Sequence, residues 1–305
     1  MIVNEDRRLI VWEGLPKRLA DNIEEDYDTL KEFPLEMLNL VMAEERRSEE
    51  EQRTHNEIKR KLTNSFDLKK SDPKLEYQKL EKIDEGGFGE IFKVERISDG
   101  KIFAMKFIRE ISRSDMDLAI QEASIISYLQ SDELIRYVDM FYFNKQFFII
   151  LEYMELSGMK KICVKNYMNH SEDFCRYTLY KVAKGIAAMH KEGILHRDIK
   201  SDNILHNKEG EIKIADMGFA CVLSSEEQKG EVGTGTTHWI APEVKKGTLY
   251  SKKVDVWSFG CLAYELATGS PPFFDLNRSA LTYNVMNIDV PKIKGNWSSE
   301  FKDFV

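Results

Sequence analysis

The segment that most restricts this chain is His196-Arg197-Asp198-Ile199-Lys200-Ser201-Asp202-Asn203. Its five fixed positions form the pattern HRDxKxxN, which equal residue usage produces in roughly one window in three million. Accident is therefore no competitor, and the surrounding chain can be ordered around this loop. Asp216-Met217-Gly218 begins thirteen positions after Asn203, and Ala241-Pro242-Glu243 ends 27 positions after that aspartate.

Upstream, Ile83-Asp84-Glu85-Gly86-Gly87-Phe88-Gly89-Glu90-Ile91 lies between two predicted strands. Glycines there let backbone amides approach a phosphate, and a plain hairpin with a glycine turn fits equally well. No GK[ST] follows, so it is not a Walker loop. Seventeen residues after Gly89, Phe103-Ala104-Met105-Lys106-Phe107-Ile108 sets a lysine in an apolar run. That lysine must meet an anion or reach solvent. Nucleotide phosphates and Glu122, with Ile120, Ala123, Ile125 and Ile126 around it, are the candidate anions; a surface lysine on an edge strand is the plain alternative.

The order and spacing from Gly86 to Glu243 resemble a eukaryotic protein kinase. The resemblance implies an α+β, bilobal protein kinase fold: a small antiparallel β lobe with one main helix, then a larger helical lobe. It also implies ATP and Mg2+. Lys106, paired with Glu122, would orient the α and β phosphates; Asn203 and Asp216 would bind magnesium; Asp198 would accept the proton of the incoming hydroxyl; Lys200 would steady the γ phosphate. Ile83, Gly86, Gly87, Phe88 and Gly89 would cover the nucleotide. Ile91, Ala104 and Leu205 would enclose the adenine, the backbone of Glu152 to Met154 would bond to it, and Leu151 would guard the back of the pocket.

Lys200 after Asp198, and Thr236 ahead of Trp239, resemble serine/threonine rather than tyrosine kinases. HRDIKSDNIL and Lys253-Val254-Asp255-Val256-Trp257-Ser258-Phe259-Gly260 look like the PAK-type branch of the sterile-twenty group. In residues 1–42, Glu13-Gly14-Leu15-Pro16-Lys17 and Pro34-Leu35-Glu36-Met37-Leu38-Asn39-Leu40 resemble the second half of the PAK GTPase-binding and autoinhibitory segment. This implies a Rho-type GTPase partner alongside protein substrates. A packed N-terminal extension, a turn followed by a short amphipathic helix, is the alternative. Residues 43–74 read as a charged helical connector, with Glu49 and Arg53, and Glu57 and Lys61, four apart. Residues 75–305 are the catalytic domain.

Within that domain the β-prone runs are Tyr77 to Ile83, Ile91 to Ile97, Lys101 to Ile108, Leu134 to Phe143 and Phe147 to Tyr153. Helical patterns cover Met116 to Leu129, Glu172 to His190 and Ser251 to Thr268. With 44 basic against 52 acidic residues, the chain lacks the basic balance of a nucleic-acid binder. Its longest unbroken aliphatic and aromatic run, Phe147 to Leu151, falls far short of the roughly 20 residues of a membrane helix. The start is acidic rather than signal-like, so the expected location is the cytoplasm or nucleus. Four scattered cysteines suggest neither zinc nor disulfides.

Four departures from the family pattern bear on function. Asp84 takes the first glycine position of the phosphate loop and should weaken or reshape nucleotide binding unless it points to solvent. Met217 replaces a phenylalanine and is adaptable enough to fill its slot. Val232 occupies the position of the activating threonine, so Arg197 would be answered either by Glu231 as a permanent surrogate, the favoured expectation, or by phosphorylation of Thr234. Ser298 to Phe304 resembles an early helix of the large lobe's last set, so those helices, and the arginine that would meet a buried Glu243, are expected beyond Val305. Asp84, Val232 and the shortened lobe keep a nucleotide-binding pseudokinase or scaffold as the second reading.

Overall fold

The computed structural model describes residues 2–4, 9–11, 62, 67–86, 89–108, 113–156, 158–160, 171–223, 228–229, 234–287 and 291–305. Near the start, β1 (Ile2–Asn4) and β2 (Leu9–Val11) pair antiparallel. The rest of residues 1–42, including Pro16, Pro34 and the helical pattern after it, lies outside the described residues.

The small lobe is a six-stranded sheet in the order β3-β7-β8-β6-β5-β4. Its members are β3 (Leu68–Lys69), β4 (Tyr77–Gly86), β5 (Gly89–Arg96), β6 (Ile102–Ile108), β7 (Tyr137–Phe143) and β8 (Gln146–Glu152), with α1 (Arg113–Tyr128) between β6 and β7. Alternation sorts the side chains onto two faces. Phe92, Val94, Met105, Phe141 and Ile150 form one buried cluster with Tyr77. Ile108, Met140, Phe147 and Ile149 form another with Ala119 and Ala123 of α1. The turn into β6 falls at Asp99-Gly100 as expected, where Arg96 holds Asp99 with two hydrogen bonds of 2.6 and 2.8 Å.

Two details differ from the sequence reading. The run from Leu134 becomes a strand only at Tyr137, because Leu134 leaves the sheet and bridges to Ile214 of the large lobe. Within the stretch read as a helical connector, Leu68–Lys69 is instead an edge strand, parallel to β7, and Pro73–Leu75 a 3-10 turn capped by Asp72. Residues 43–61 lie outside the described residues.

In the large lobe, α2 (Glu172–Lys191) starts at Ser171, whose hydroxyl accepts from the Phe174 amide at 3.1 Å. Acidic residues stand in its first turn and basic ones in its last, matching the helix dipole. The signature loop runs between β9 (Ile194–Leu195) and β10 (Ile204–His206), which pairs with β11 (Ile212–Ile214). β12 (Cys221–Val222) returns to β9, and β13 (Gln228–Lys229) pairs with β14 (Leu249–Tyr250). The helices α3 (Pro242–Lys246), α4 (Lys253–Thr268), α5 (Arg278–Asn287) and α6 (Ser299–Phe304) follow. Ile186, Ile199, Ile204, Ile214, Leu262 and Leu266 are fully buried in one core. Among the described residues, no helix is long and apolar enough to cross a membrane.

Candidate active site

Lys106 sits on β6, an inner strand of the sheet, so the edge-strand alternative falls. Its Nζ lies 2.6 Å from Glu122 Oε1 on α1 and 2.9 Å from Asp216 Oδ1. Burial works against the ammonium charge, but the two carboxylates outweigh it and hold Lys106 above the ordinary lysine range. Burial and the nearby Asp216 charge push Glu122 upward against the pull of Lys106. Asp216 is lowered despite its burial, because Lys106, His196 and Lys200 favour its charged form. One ammonium thus ties the sheet, α1 and the segment at Asp216 together.

Asp216 adopts a left-handed backbone, φ 63°, that opens a 3-10 turn at Met217–Phe219. Met217 is buried in the main core, so methionine does fill the slot expected for phenylalanine.

Asp198 is buried, and its carboxylate gathers groups from two segments. Oδ2 takes Lys200 Nζ at 2.6 Å and Asn203 Nδ2 at 3.0 Å. Oδ1 takes the amide and hydroxyl of Thr236 at 2.8 and 2.6 Å. Lys200 also donates to Thr236 Oγ1 at 2.6 Å. Gly235 makes this approach possible: at φ +105° its backbone runs so close that a Cβ would sit 2.5 Å from the Arg197 carbonyl. Thr236 entered the sequence reading only as a mark of serine/threonine specificity, and its contact with Asp198 spans 38 positions.

Support for the loop comes from α4. Asp255, fully buried, accepts from the amides of His196 and Arg197 at 2.9 and 2.7 Å and contacts His190 Nε2 at 2.8 Å. Burial would raise its pKa, yet the hydrogen bond and charge of His190 hold it below the ordinary aspartate range. Glu265 accepts from Ser201 Oγ at 2.6 Å, and burial lifts its pKa to about 7. Neither carboxylate was among the sequence candidates. The signal was an acid inside an apolar helical run, Val254-Asp255-Val256 and Tyr264-Glu265-Leu266.

Strand register places Ile91, Ala104 and Leu151 on the face that carries Lys106: Ile91 pairs with Lys106, and Ala104 with Leu151. All three are half-buried, as are Ile83 and Leu205. Leu205 and Leu151 pack against the core that includes buried Met154. The Glu152 carboxylate turns into the protein, accepting from the Arg136 amide at 2.6 Å and pairing with Lys213 at 2.9 Å.

Gly89, at φ +144°, has a reason to be glycine apart from any phosphate, since a Cβ would lie 2.0 Å from the Phe107 carbonyl oxygen. Gly86 pairs with Gly89 across the hairpin. Gly87 and Phe88 lie outside the described residues, as do Glu231 and Val232. Asp84 points to solvent and accepts from the Glu85 amide at 2.8 Å, the arrangement in which its charge is tolerable. Glu243 is half-buried rather than buried, so the cost expected for an enclosed unpaired carboxylate does not arise there.

Asp216 and Asn203 fit magnesium by donor chemistry. Asn203 spends its amide nitrogen on Asp198, at the carbonyl oxygen (2.8 Å) and Oδ2 (3.0 Å), which leaves an amide oxygen to join the Asp216 carboxylate. Two hard oxygen donors suit an ion that takes its other ligands from phosphates and water.

Residues 77–305 match the protein kinase domain family. Similar curated proteins include serine/threonine-protein kinase pakC of Dictyostelium discoideum, 34% identical over 80% of this chain and 52% of its own. Serine/threonine-protein kinase pakA of Talaromyces marneffei is 32% identical over 77% of this chain and 36% of its own. Serine/threonine-protein kinase shk1/pak1 of Schizosaccharomyces pombe is 30% identical over 76% and 35%. The chain thus spans about a third to a half of the length of these relatives.

Proposed function

The chain belongs to the protein kinase family, in the PAK-like branch of the sterile-twenty group, and from that premise we propose that it is an ATP-dependent serine/threonine kinase of protein substrates. The observation that carries this reading is the meeting of Asp198, Lys200, Asn203 and Thr236 on one side of the site with Lys106, Glu122 and Asp216 on the other. Phosphoryl transfer asks little covalent work of a protein and much positioning and charge neutralisation.

Asp198 takes the proton of the incoming serine or threonine hydroxyl as its oxygen bonds to the γ phosphorus, and the bond from that phosphorus to the β–γ bridging oxygen breaks, releasing ADP. Lys200, already on Asp198, offsets charge on the moving phosphoryl oxygens. Lys106, fixed by Glu122, holds the α and β phosphates. Asp216 and Asn203 would hold magnesium, which supplies charge neutralisation at the phosphates when bound. Residues 1–42 extend the proposal to regulation by a Rho-type GTPase, on the PAK-like pattern of Glu13 to Lys17 and Pro34 to Leu40.

The test is transfer of labelled phosphate from ATP to a generic basic protein. Asp198→Asn should lower the rate on the order of 10³-fold while nucleotide binding persists. Equal rates in both proteins overturn the assignment of Asp198, and nucleotide binding without transfer by the unmodified chain supports the pseudokinase reading instead.

A further inference from the structure

Glu122 meets Lys106 only while α1 is held against the sheet, and residues ahead of the catalytic domain contribute to that hold. β3 adds to the sheet edge beside β7, with Leu68 opposite Met140 and Lys69 opposite Phe141. A two-residue parallel pairing is weak by itself, so the side chains must secure it. The pleat sends them to opposite faces. Leu68 packs against the cluster of Ile108, Met140 and Ile149 with Ala119 and Ala123 of α1. Lys69 goes to the other face, pairing with Asp139 at 2.9 Å and Glu76 at 2.7 Å, 5.0 Å from the centre of the Phe141 ring. Asp139 in turn accepts from the Tyr77 hydroxyl at 2.5 Å, which ties this clip to the first residue of β4.

Leu62 marks a second point. It is 7% exposed and belongs to the core cluster that contains Ile125, Ile126 and Leu129 at the end of α1. Along the helix, the cluster joined by Leu68 flanks Glu122 with Ala119 and Ala123, and the core joined by Leu62 takes Ile125 and Ile126 just after it.

We propose that Leu62, Leu68 and Lys69 are positioning residues that brace α1 and so keep Glu122 on Lys106. The inference rests on the kinase reading for its effect on rate, but not for its effect on α1. It also gives this stretch the opposite sign to the inhibitory role expected of residues 1–42. A partner that draws Leu68 and Lys69 off the sheet would lower activity.

In the full chain, Leu68→Ser should lower kcat about tenfold with the KM for protein substrate unchanged, and Leu68→Met should return to within about twofold of wild type. In a Glu122→Gln background, Leu68→Ser should cause little further loss, since both changes break one linkage. Additive losses, or an unchanged kcat for Leu68→Ser, overturn the proposal. Hydrogen exchange supplies the readout independent of transfer: amides of α1 should exchange faster in Leu68→Ser and, more mildly, in Leu68→Val. Unchanged α1 protection in both refutes the brace whatever the chemistry, whereas faster exchange in a chain without transfer activity fails only the kinase reading.

Discussion

Thr236 Oγ1 donates to Asp198 Oδ1 at 2.6 Å while it accepts from Lys200 Nζ at the same distance, so one hydroxyl locks the proposed proton acceptor to the lysine proposed to steady the γ phosphate. Thr236→Val keeps the shape and removes that link. The expected outcome is a fall in kcat of about tenfold or more with modest change in KM for ATP, and Thr236→Ser should keep most of the rate. Steady-state kinetics of the two variants decide it, and full activity in the valine form removes Thr236 from the mechanism.

Asp255 holds the loop from below, with its oxygens facing the His196 and Arg197 amides and His190. Asp255→Asn turns an acceptor into a group with its own N–H donors, so at least one buried donor loses its partner. The expected cost is on the order of 3 kcal/mol of stability, with a parallel fall in kcat as the loop loosens. Denaturant unfolding checks the first part; an unchanged midpoint and slope would refute it.

Glu265 predicts a pH dependence. Its carboxyl is raised to about 7 by burial, against an ordinary value of 4.5. Between those values the folded chain keeps a proton that the unfolded chain has released, so its contribution is fully present below about 4.5 and lost as pH rises through about 7. Melting temperature measured from pH 5 to pH 8 should fall more steeply in wild type than in Glu265→Gln, which keeps the shape and cannot ionise. Parallel profiles would show that Glu265 does not titrate in this range.

Much of this site was legible because its groups lie within short, patterned stretches. Lys106 was conspicuous as a charge in an apolar run, and Glu122 as an acid on the apolar side of the next helix. The contacts that secure the loop were harder to see. Thr236 reaches Asp198 only because Gly235 lets two segments touch, a tertiary event without local periodicity. Asp255 stands 57 positions after Asp198, in a run whose hydropathy predicts a buried helix but not a buried acceptor. Leu68–Lys69 is too short to show alternation, and the polar residues before it favour a helical reading. Conversely, glycine at 89 fitted a phosphate cradle and a plain hairpin turn equally well, and the nearer physical demand is the Phe107 carbonyl against its backbone.

Val232 cannot be phosphorylated, so Arg197 needs its anion from another residue. A small open pocket is lined by Arg197, Thr234, Tyr250 and Ser258 together with the apolar Ile240 and Val244. Arg197 donates from Nε to the Phe219 carbonyl at 2.6 Å and from Nη1 to the Tyr250 hydroxyl at 3.1 Å. Among the described residues no carboxylate lies in salt-bridge reach of it, and Glu231 lies outside them. A phosphate on Thr234 would bring up to about two negative charges beside this guanidinium. Thr234 lines this pocket together with Arg197, and a phosphate there is the alternative to Glu231 as a permanent surrogate. If Thr234 is used, activity should fall several-fold in Thr234→Ala, persist in Thr234→Glu, and change little in Glu231→Gln, with Thr234 phosphate found by mass spectrometry in active preparations. The reverse pattern would support Glu231, and unchanged rates in every variant would mean that Arg197 works without either anion.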